Sequence, residues 1–114
     1  MRPDRASAPN WKGAAPLFAA LGDGTRLALL ARLSAGGPHS IARLTVSSAI
    51  TRQAITKHLH VLSAAGLVRH TRRGRERIWQ LEPARLEIAL KFLAEISRQW
   101  DARLARLRDL VEKS

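Results

Sequence analysis

Polar side chains between residues 51 and 60 have the types and the spacing of a surface that contacts nucleic acid. They are Thr51, Arg52, Gln53, Thr56, Lys57 and His60. Glutamine can bond an adenine edge at two atoms, while arginine and lysine bind phosphate. Residues three or four positions apart share one face of a helix, so a helical stretch would turn these groups the same way. The pattern predicts a helix face suited to a DNA groove.

Apolar residues in the same stretch predict the helix that would position this face. Ile55, Leu59 and Leu62 recur at helical spacing, so we expect their side to be buried. Thr51 is a good N-cap, because its hydroxyl can accept from the free amides of the first turn. Gly66 suits the left-handed position just past a helix end. We therefore expect a helix that opens at Thr51 and closes at Gly66.

A shorter amphipathic helix is predicted immediately before this one. It runs from Ser40 to about Thr45 and places Ile41 and Leu44 on one face. Residues 46–50 form a tight connection to the longer helix. Two helices joined in this way make a helix-turn-helix pattern, with the second helix as the one that reads DNA.

A β-hairpin is predicted directly after the second helix. Residues 67–72 and 77–81 have the composition of strands, and residues 73–76 turn between them, with Gly74 supplying the positive φ of a hairpin turn. Its tip is cationic and suits contact with phosphate or with the minor groove. The cations are Arg72, Arg73, Arg75 and Arg77.

Positive charge is concentrated on these predicted DNA-contacting elements. The formal net charge is +11, from 20 Lys and Arg against 9 Asp and Glu. Residues 51–77 hold seven basic residues and one acidic residue, a balance of +6, whereas residues 82–114 hold seven basic and six acidic residues. This uneven distribution indicates a nucleic-acid partner. The alternative is a solvated basic surface without a specific partner.

The motifs in this region resemble those of the ArsR/SmtB family of winged helix-turn-helix repressors. The resemblance is carried by KHLHVL at the end of the helix, AAGLV before the hairpin, RRGRE at its tip and LEP at its exit. Upstream, LGDGTRLALLARL is similar to the family pattern LaDpTRlaIL, with Gly24 where proline is common. The C-terminal WDARLARL is more similar to the autorepressor-type branch than to the metal sensors. The resemblance covers the chain from about Leu17 to its C-terminus.

Two positions in the turn before the longer helix depart from the family pattern. Ser48 stands where the family usually buries an apolar residue, and Ala49 stands where glycine is frequent. These departures predict a shifted or more open turn.

Two further helices are expected before the helix-turn-helix. The first runs over about residues 12–21, with Leu17, Phe18 and Leu21 as its buried stripe. Asp23 or Thr25 caps the second, and Gly36-Gly37-Pro38 ends it. The predicted fold class is therefore mainly α with a small β-hairpin, a winged helix-turn-helix. We divide it into a flexible tail (residues 1–10), a DNA-binding domain (residues 11–82) and a C-terminal dimerisation helix (residues 83–114).

The last helix is too long for one small domain to cover. It is predicted over residues 83–111, with Pro83 in its first turn, and would be about 43 Å long. A compact domain of this size has a radius of gyration of about 13 Å. In the family the first and last helices form the dimer interface, so the resemblance implies a homodimer. The predicted interface residues are Leu17, Leu93, Ile96, Trp100, Leu104 and Leu107. The alternative is a single helix wrapped on its own domain.

Neither a metal site nor a catalytic site is predicted. There are no cysteines, and the four histidines are His39, His58, His60 and His70. The resemblance implies that a metal sensor would need cysteines in the third helix or histidines and acids in the first or last helix, and the last helix has no histidine. We expect no cofactor. Without a signal peptide or a long apolar run, the sequence predicts a cytoplasmic protein with no membrane partner.

These observations predict a homodimer that binds double-stranded DNA at an inverted-repeat operator and represses transcription. One alternative is a basic protein that coats DNA without sequence preference, as nucleoid proteins do. The other is a sensor gated by a small-molecule effector, which no residue identifies. Gln53 favours sequence reading over nonspecific coating.

Overall fold

The computed structural model describes residues 10–46 and 49–113. The helices and strands in these ranges follow the order α1 (Trp11–Leu21), α2 (Gly24–Gly36), β1 (His39–Ser40), α3 (Ile41–Thr45), α4 (Arg52–Ala64), β2 (Val68–Arg73), β3 (Glu76–Leu81) and α5 (Pro83–Lys113). The strands form one antiparallel sheet in the order β1-β3-β2. The predicted fold class is confirmed, and β1 adds a strand that was not predicted. The tail over residues 1–9 and the departure at Ser48 lie outside the described residues.

Side-chain caps determine where four of the helices begin. In each, an oxygen accepts a hydrogen bond from the backbone amide three residues later, at 3.1–3.2 Å. This satisfies an amide that has no partner inside the helix. The prediction of Thr51 as a cap is confirmed, and Asp23 rather than Thr25 opens α2. The capping residues are Asn10, Asp23, Ser40 and Thr51.

Trp79 lies at the centre of the core, where the sheet meets α4. It is fully buried in β3, with its ring centroid 4.6 Å from that of His70 on β2 and 5.9 Å from that of His60 on α4. Trp79 thus packs the wing against the core. Because the indole ring has no exposed surface, it cannot stack on a base. The other fully buried large side chains are Leu17, Leu44, Ile55, Leu59, Leu62 and Leu67.

Leu17 lies in the core of its own protomer and not on an outer face. Only 1% of it is exposed, because α1 packs this side against α5 and the helix-turn-helix. The neighbouring Phe18 contacts Phe92 of α5 at a ring-centroid distance of 5.7 Å. The predicted place of Leu17 at a dimer interface is therefore corrected, and it leaves the set of interface residues.

A polar junction joins α1 and α2 to α4. Arg26 donates from Nε and Nη2 to the backbone oxygens of Ala20 and Ala19, at 2.5 and 3.4 Å, and its Nη1 lies 3.3 Å from His58 Nδ1. Asp23 Oδ2 lies 3.8 Å from the same His58 nitrogen. His58 therefore faces the side chains of these two residues. Through Arg26, the junction connects α4 to the C-terminal end of α1.

The wing hairpin closes more tightly than the sequence predicted. Arg73 pairs with Glu76, so the loop consists of Gly74 and Arg75 alone, with Gly74 at φ 66°. A positive φ at the first loop position is what two-residue hairpin turns require. The strands consequently extend one residue further toward the tip than expected, and they carry the arginines with them.

Helix α5 projects well beyond the rest of the chain. Its 31 residues span about 46 Å, and the radius of gyration is 19.3 Å instead of the roughly 13 Å of a compact domain. Leu86, Ala89 and Phe92 pack against the body, whereas the helix beyond them is exposed almost throughout. Over residues 10–46 and 49–113, no helix has the length and hydropathy that a membrane crossing demands.

Gly24→Pro is expected to stabilise the fold. Gly24 is the first residue of α2, a position that proline favours, and nothing lies within 4 Å of a Cβ added there. Asp23 is already extended, at φ −145° and ψ 131°, as the residue before a proline should be. A less flexible unfolded chain should raise the free energy of unfolding by about 0.4–1 kcal/mol, measured by denaturant titration. As an opposite control, Gly66→Ala at φ 78° should cost about 1–2 kcal/mol.

Asp23→Asn is expected to remove one part of the acid sensitivity of the fold. The backbone amide of Arg26 lowers the pKa of Asp23 below its ordinary value of 3.8. A lowered pKa in the folded state means that the carboxylate stabilises the fold above pH 3.8 and that this contribution is lost as the pH falls through the folded pKa. Asparagine keeps the cap but does not titrate. The difference in denaturant midpoint between the two proteins should therefore shrink on acidification, and a growing difference would contradict this assignment.

Candidate nucleic-acid interface

Helix α4 presents a polar face to the outside while its opposite face is held in the core. Arg52, Gln53, Lys57 and His60 are exposed and Thr56 is half-buried, so these five residues define what we call the reading face. The buried side consists of Ile55, Leu59 and Leu62. The structure thus brings the predicted polar residues together on one side of a helix that the core holds rigidly.

Two hydroxyl groups near the start of α4 already serve the helix itself. Thr51 Oγ1 accepts from the amide of Ala54 at 3.1 Å, and Thr56 Oγ1 donates to the backbone oxygen of Arg52 at 2.8 Å. Thr51 keeps its hydroxyl hydrogen for an outside acceptor. Thr56 has used its hydrogen, so it can only accept from a ligand. The sequence did not reveal this difference between the two threonines.

Arg32 of α2 donates hydrogen bonds to the end of α3, a contact that the sequence did not predict. Its Nη1 and Nη2 donate to the backbone oxygens of Leu44 and Arg43, at 2.6 and 3.0 Å, at the end of α3. The Arg43 oxygen also accepts from the amide of Val46, at 3.3 Å, so Arg32 adds a second donor to it at the C-terminal end of this short helix. The only signal in the sequence is a basic residue among the leucines of α2, which is too general to assign this contact.

The outer end of the wing carries exposed arginines, whereas the inner end is neutralised. Arg69 lies 3.5 Å from Glu82, and with the Gln80 amide oxygen turned toward it, Arg69 donates to that oxygen at 2.6 and 2.8 Å. Its charge is therefore engaged within the protein. The four predicted cations at the tip are exposed: Arg72, Arg73, Arg75 and Arg77.

An open cavity of about 230 Å³ separates the start of α4 from the wing, and we call it the wing cleft. Three arginines line it, Arg52 from α4 and Arg75 and Arg77 from the hairpin, together with Glu76 and the start of α3. Their convergence was not predicted, since 21 residues lie between Arg52 and the loop. Glu76 was not assigned to the site, because its place beside the arginines follows from the hairpin register.

The predicted interface residues of α5 form an exposed apolar row. Trp100 is 59% exposed, and the others are exposed to 41–57%. We call this row the seam, and it consists of Leu93, Ile96, Trp100, Leu104 and Leu107. It continues the side of α5 that packs on the body through Ala89.

The histidines do not gather with acidic residues into a ligand set in the described part of the chain. His39 pairs with Trp79 in the sheet, His58 belongs to the junction with α2, and His60 and His70 flank the indole of Trp79. Over residues 10–46 and 49–113, no group of three His, Asp or Glu side chains is arranged to hold a metal ion.

The chain is similar in sequence to known helix-turn-helix proteins. The sequence profile of a helix-turn-helix domain covers residues 21–71. The chain is 37% identical over 93 residues to the HTH-type transcriptional regulator Rv2034 of Mycobacterium tuberculosis, a match covering 82% of this chain and 83% of that protein.

Two solved structures share both the fold and the sequence pattern. An ArsR-like transcriptional regulator from Rhodococcus sp. RHA1 superposes with a TM-score of 0.78 at 36% identity, covering 91% of this chain and 94% of that one. The ArsR family transcriptional regulator RHA00566 gives a TM-score of 0.72 at 31% identity, covering 82% and 96%. The chain therefore belongs to the ArsR family of winged helix-turn-helix, DNA-binding transcriptional regulators.

Proposed function

We propose that this protein is a transcriptional repressor that binds an inverted-repeat operator as a homodimer. The observation that carries the proposal is the exposed reading face of α4 beside a wing whose outer cations have no partner in the described chain. Repression would be steric, because a dimer bound over a promoter excludes polymerase, as the family implies.

Helix α4 and the wing have different roles in DNA binding. Gln53 is the second residue of α4 and Lys57 lies one turn further on, and the N-terminal part of a recognition helix is the part that meets base edges in the major groove. Arg72 and Arg73 lie on the exposed end of β2, where contact with the backbone adds affinity without sequence information. We therefore assign base reading to α4 and sequence-independent attraction to the wing.

The seam on α5 supports the second half of the proposal, a dimer. Its large apolar side chains are in water in the single chain, and a two-fold axis would bury the same row of both copies against each other. Two recognition helices related by such an axis must face an inverted repeat, with half-site centres about 10 base pairs apart or a multiple of that distance.

A nonspecific DNA-coating protein is the competing function. It would share the basic wing but would have no need of an uncharged hydrogen-bonding side chain on the reading face near the start of α4. Gln53 is exposed there, which favours sequence reading. Footprinting on the promoter of the gene for this protein, with a ratio of specific to nonspecific affinity at one salt concentration, separates the two functions.

Gln53→Ala is expected to alter sequence preference, whereas Arg72→Ala with Arg73→Ala is not. Loss of a bidentate contact should relax discrimination at particular base pairs by about 1–3 kcal/mol, measured by selection from a randomised operator library. The wing double variant should weaken binding to all sequences alike and flatten the plot of log affinity against log salt by about 0.9 for each lost phosphate contact. If the wing variant changed the selected sequence and Gln53→Ala did not, the two roles would be exchanged.

Trp100→Ala is expected to separate the dimer without unfolding the chain. Burial at a dimer interface makes removal of this side chain cost about 3–5 kcal/mol of association free energy. Sedimentation should show a shift to monomer, and operator affinity should fall with it, while circular dichroism is preserved because the residue is exposed in the single chain.

Arg106→Ala is the matched control for that experiment. Arg106 is exposed on the same helix but lies about 120° around it from Trp100, away from the seam. This variant should remain dimeric and bind normally. A Trp100→Ala protein that is monomeric, folded and still binds the full operator as tightly as the parent would overturn the proposed role of the dimer.

A further inference from the structure

We propose that the wing cleft is a clamp for a single phosphodiester of the DNA backbone, held jointly by Arg52, Arg75 and Arg77. This inference rests on the proposed DNA-binding function and deepens it. It assigns Arg52, the first residue of α4, to the backbone and not to the bases.

The cleft brings together cations from two elements that are far apart in sequence. Arg52 comes from the start of α4, Arg75 from the hairpin loop, and Arg77 from the second position of β3. The cavity between them has a volume of about 230 Å³ and is open to solvent. A group bound there would contact the recognition helix and the wing at the same time.

The charge of the cleft is in excess and is available to a ligand. Three arginines and one glutamate line it, which gives 3 − 1 = +2. Over residues 10–46 and 49–113, none of these three guanidinium groups lies within 4.0 Å of a carboxylate oxygen. Arg69 on the same hairpin is engaged by Glu82 at 3.5 Å, so the fold neutralises one wing arginine and leaves those of the cleft free.

The geometry of duplex DNA explains why the ligand is a backbone phosphate. A helix in the major groove and a wing over the adjacent minor groove are separated by the sugar–phosphate strand that divides the two grooves. That strand must pass between α4 and the hairpin, where the cleft lies. Guanidinium groups bind phosphate oxygens in a bidentate manner, and the start of a 13-residue helix adds favourable potential for an anion.

Glu76 allows a second test of the clamp, in which affinity should rise and not fall. Glu76 lines the same cavity, and its negative charge should repel a phosphate there and lower the affinity that the three arginines would otherwise give. Glu76→Gln, which keeps the size of the side chain, should therefore bind DNA more tightly. A variant that gains affinity is a useful test, because misfolding cannot produce it.

The test compares salt dependence for the full-length dimer on its footprinted operator. If the three arginines share one phosphate in each half-site, the triple variant with all three changed to Gln should flatten the slope of log affinity against log salt by roughly 1.8 per dimer. Three separate phosphates would give a change of roughly 5.4. Arg72→Gln, on the same wing but outside the cleft, is the control, and its effect should add to that of the triple variant.

Replacing single phosphates of the DNA with an uncharged group shows directly which phosphate the clamp binds. Methylphosphonate placed at one position at a time should weaken the wild-type protein most at one position in each half-site, and the triple variant should be insensitive at that position alone. Arg52→Gln should leave the selected base sequence unchanged.

The outcomes separate this inference from the function on which it rests. A wild-type protein without any preferred duplex would refute the proposed function itself. Specific binding combined with a slope change near 5.4, with an altered base preference for Arg52→Gln, or with weaker binding by Glu76→Gln would refute the clamp and leave the proposed function intact.

Discussion

The burial of Trp79 is the contact on which the geometry of the DNA-contacting surface depends. One indole ring fills the space between the sheet and α4, with His70 on the wing and His60 on the recognition helix packed against it. The wing has few apolar residues of its own, and its outer strand positions are exposed. Its orientation therefore comes from this ring, from Val68 and Leu81 at its inner end, and from pairing with β1. Without the indole, the arginines of the wing would be held less firmly relative to the reading face.

A second constraint comes from the ratio of helix length to domain size. A chain of 114 residues cannot cover a 31-residue helix, so α5 buries its first turns and leaves the seam in water. The junction at Arg26 links the end of α1 to His58 of α4. Helix α1, which packs on α5 through Phe18 and Phe92, is thus connected by hydrogen bonds to the helix that carries the reading face.

Local signals allowed much of this architecture to be predicted. The N-cap at Thr51, the glycine at Gly66 and the helical repeat of Ile55, Leu59 and Leu62 each act over a few residues, so their consequences can be inferred from the sequence. Leu17 shows where such inference ends. An apolar residue on a terminal helix suits either a core or an interface, and only the packing of α1 on α5 places it in the core.

The candidate site shows the same division between local and long-range information. The outward direction of Gln53 and Lys57 follows from helix periodicity and was predicted. Whether Arg52 lies near Arg75 and Arg77 depends on where the hairpin folds back. The local sequence pattern of neither segment predicts how close the two segments come. The neutralisation of Arg69 by Glu82 is likewise a contact between residues 13 positions apart, and it makes the local charge count an overestimate of the charge available to DNA.

The short strand β1 has a consequence for the kind of DNA that this surface accepts. His39 and Ser40 pair with Trp79 and Ile78, so the residue that caps α3 is itself part of the sheet that carries the wing. Helix-turn-helix and wing therefore form one rigid frame with a fixed gap between them. A rigid frame requires the duplex to bring its grooves to that spacing, and the energy needed depends on the stiffness and groove width of base pairs that no side chain touches. For the proposed operator, the strand thus makes DNA shape a determinant of affinity in addition to base identity.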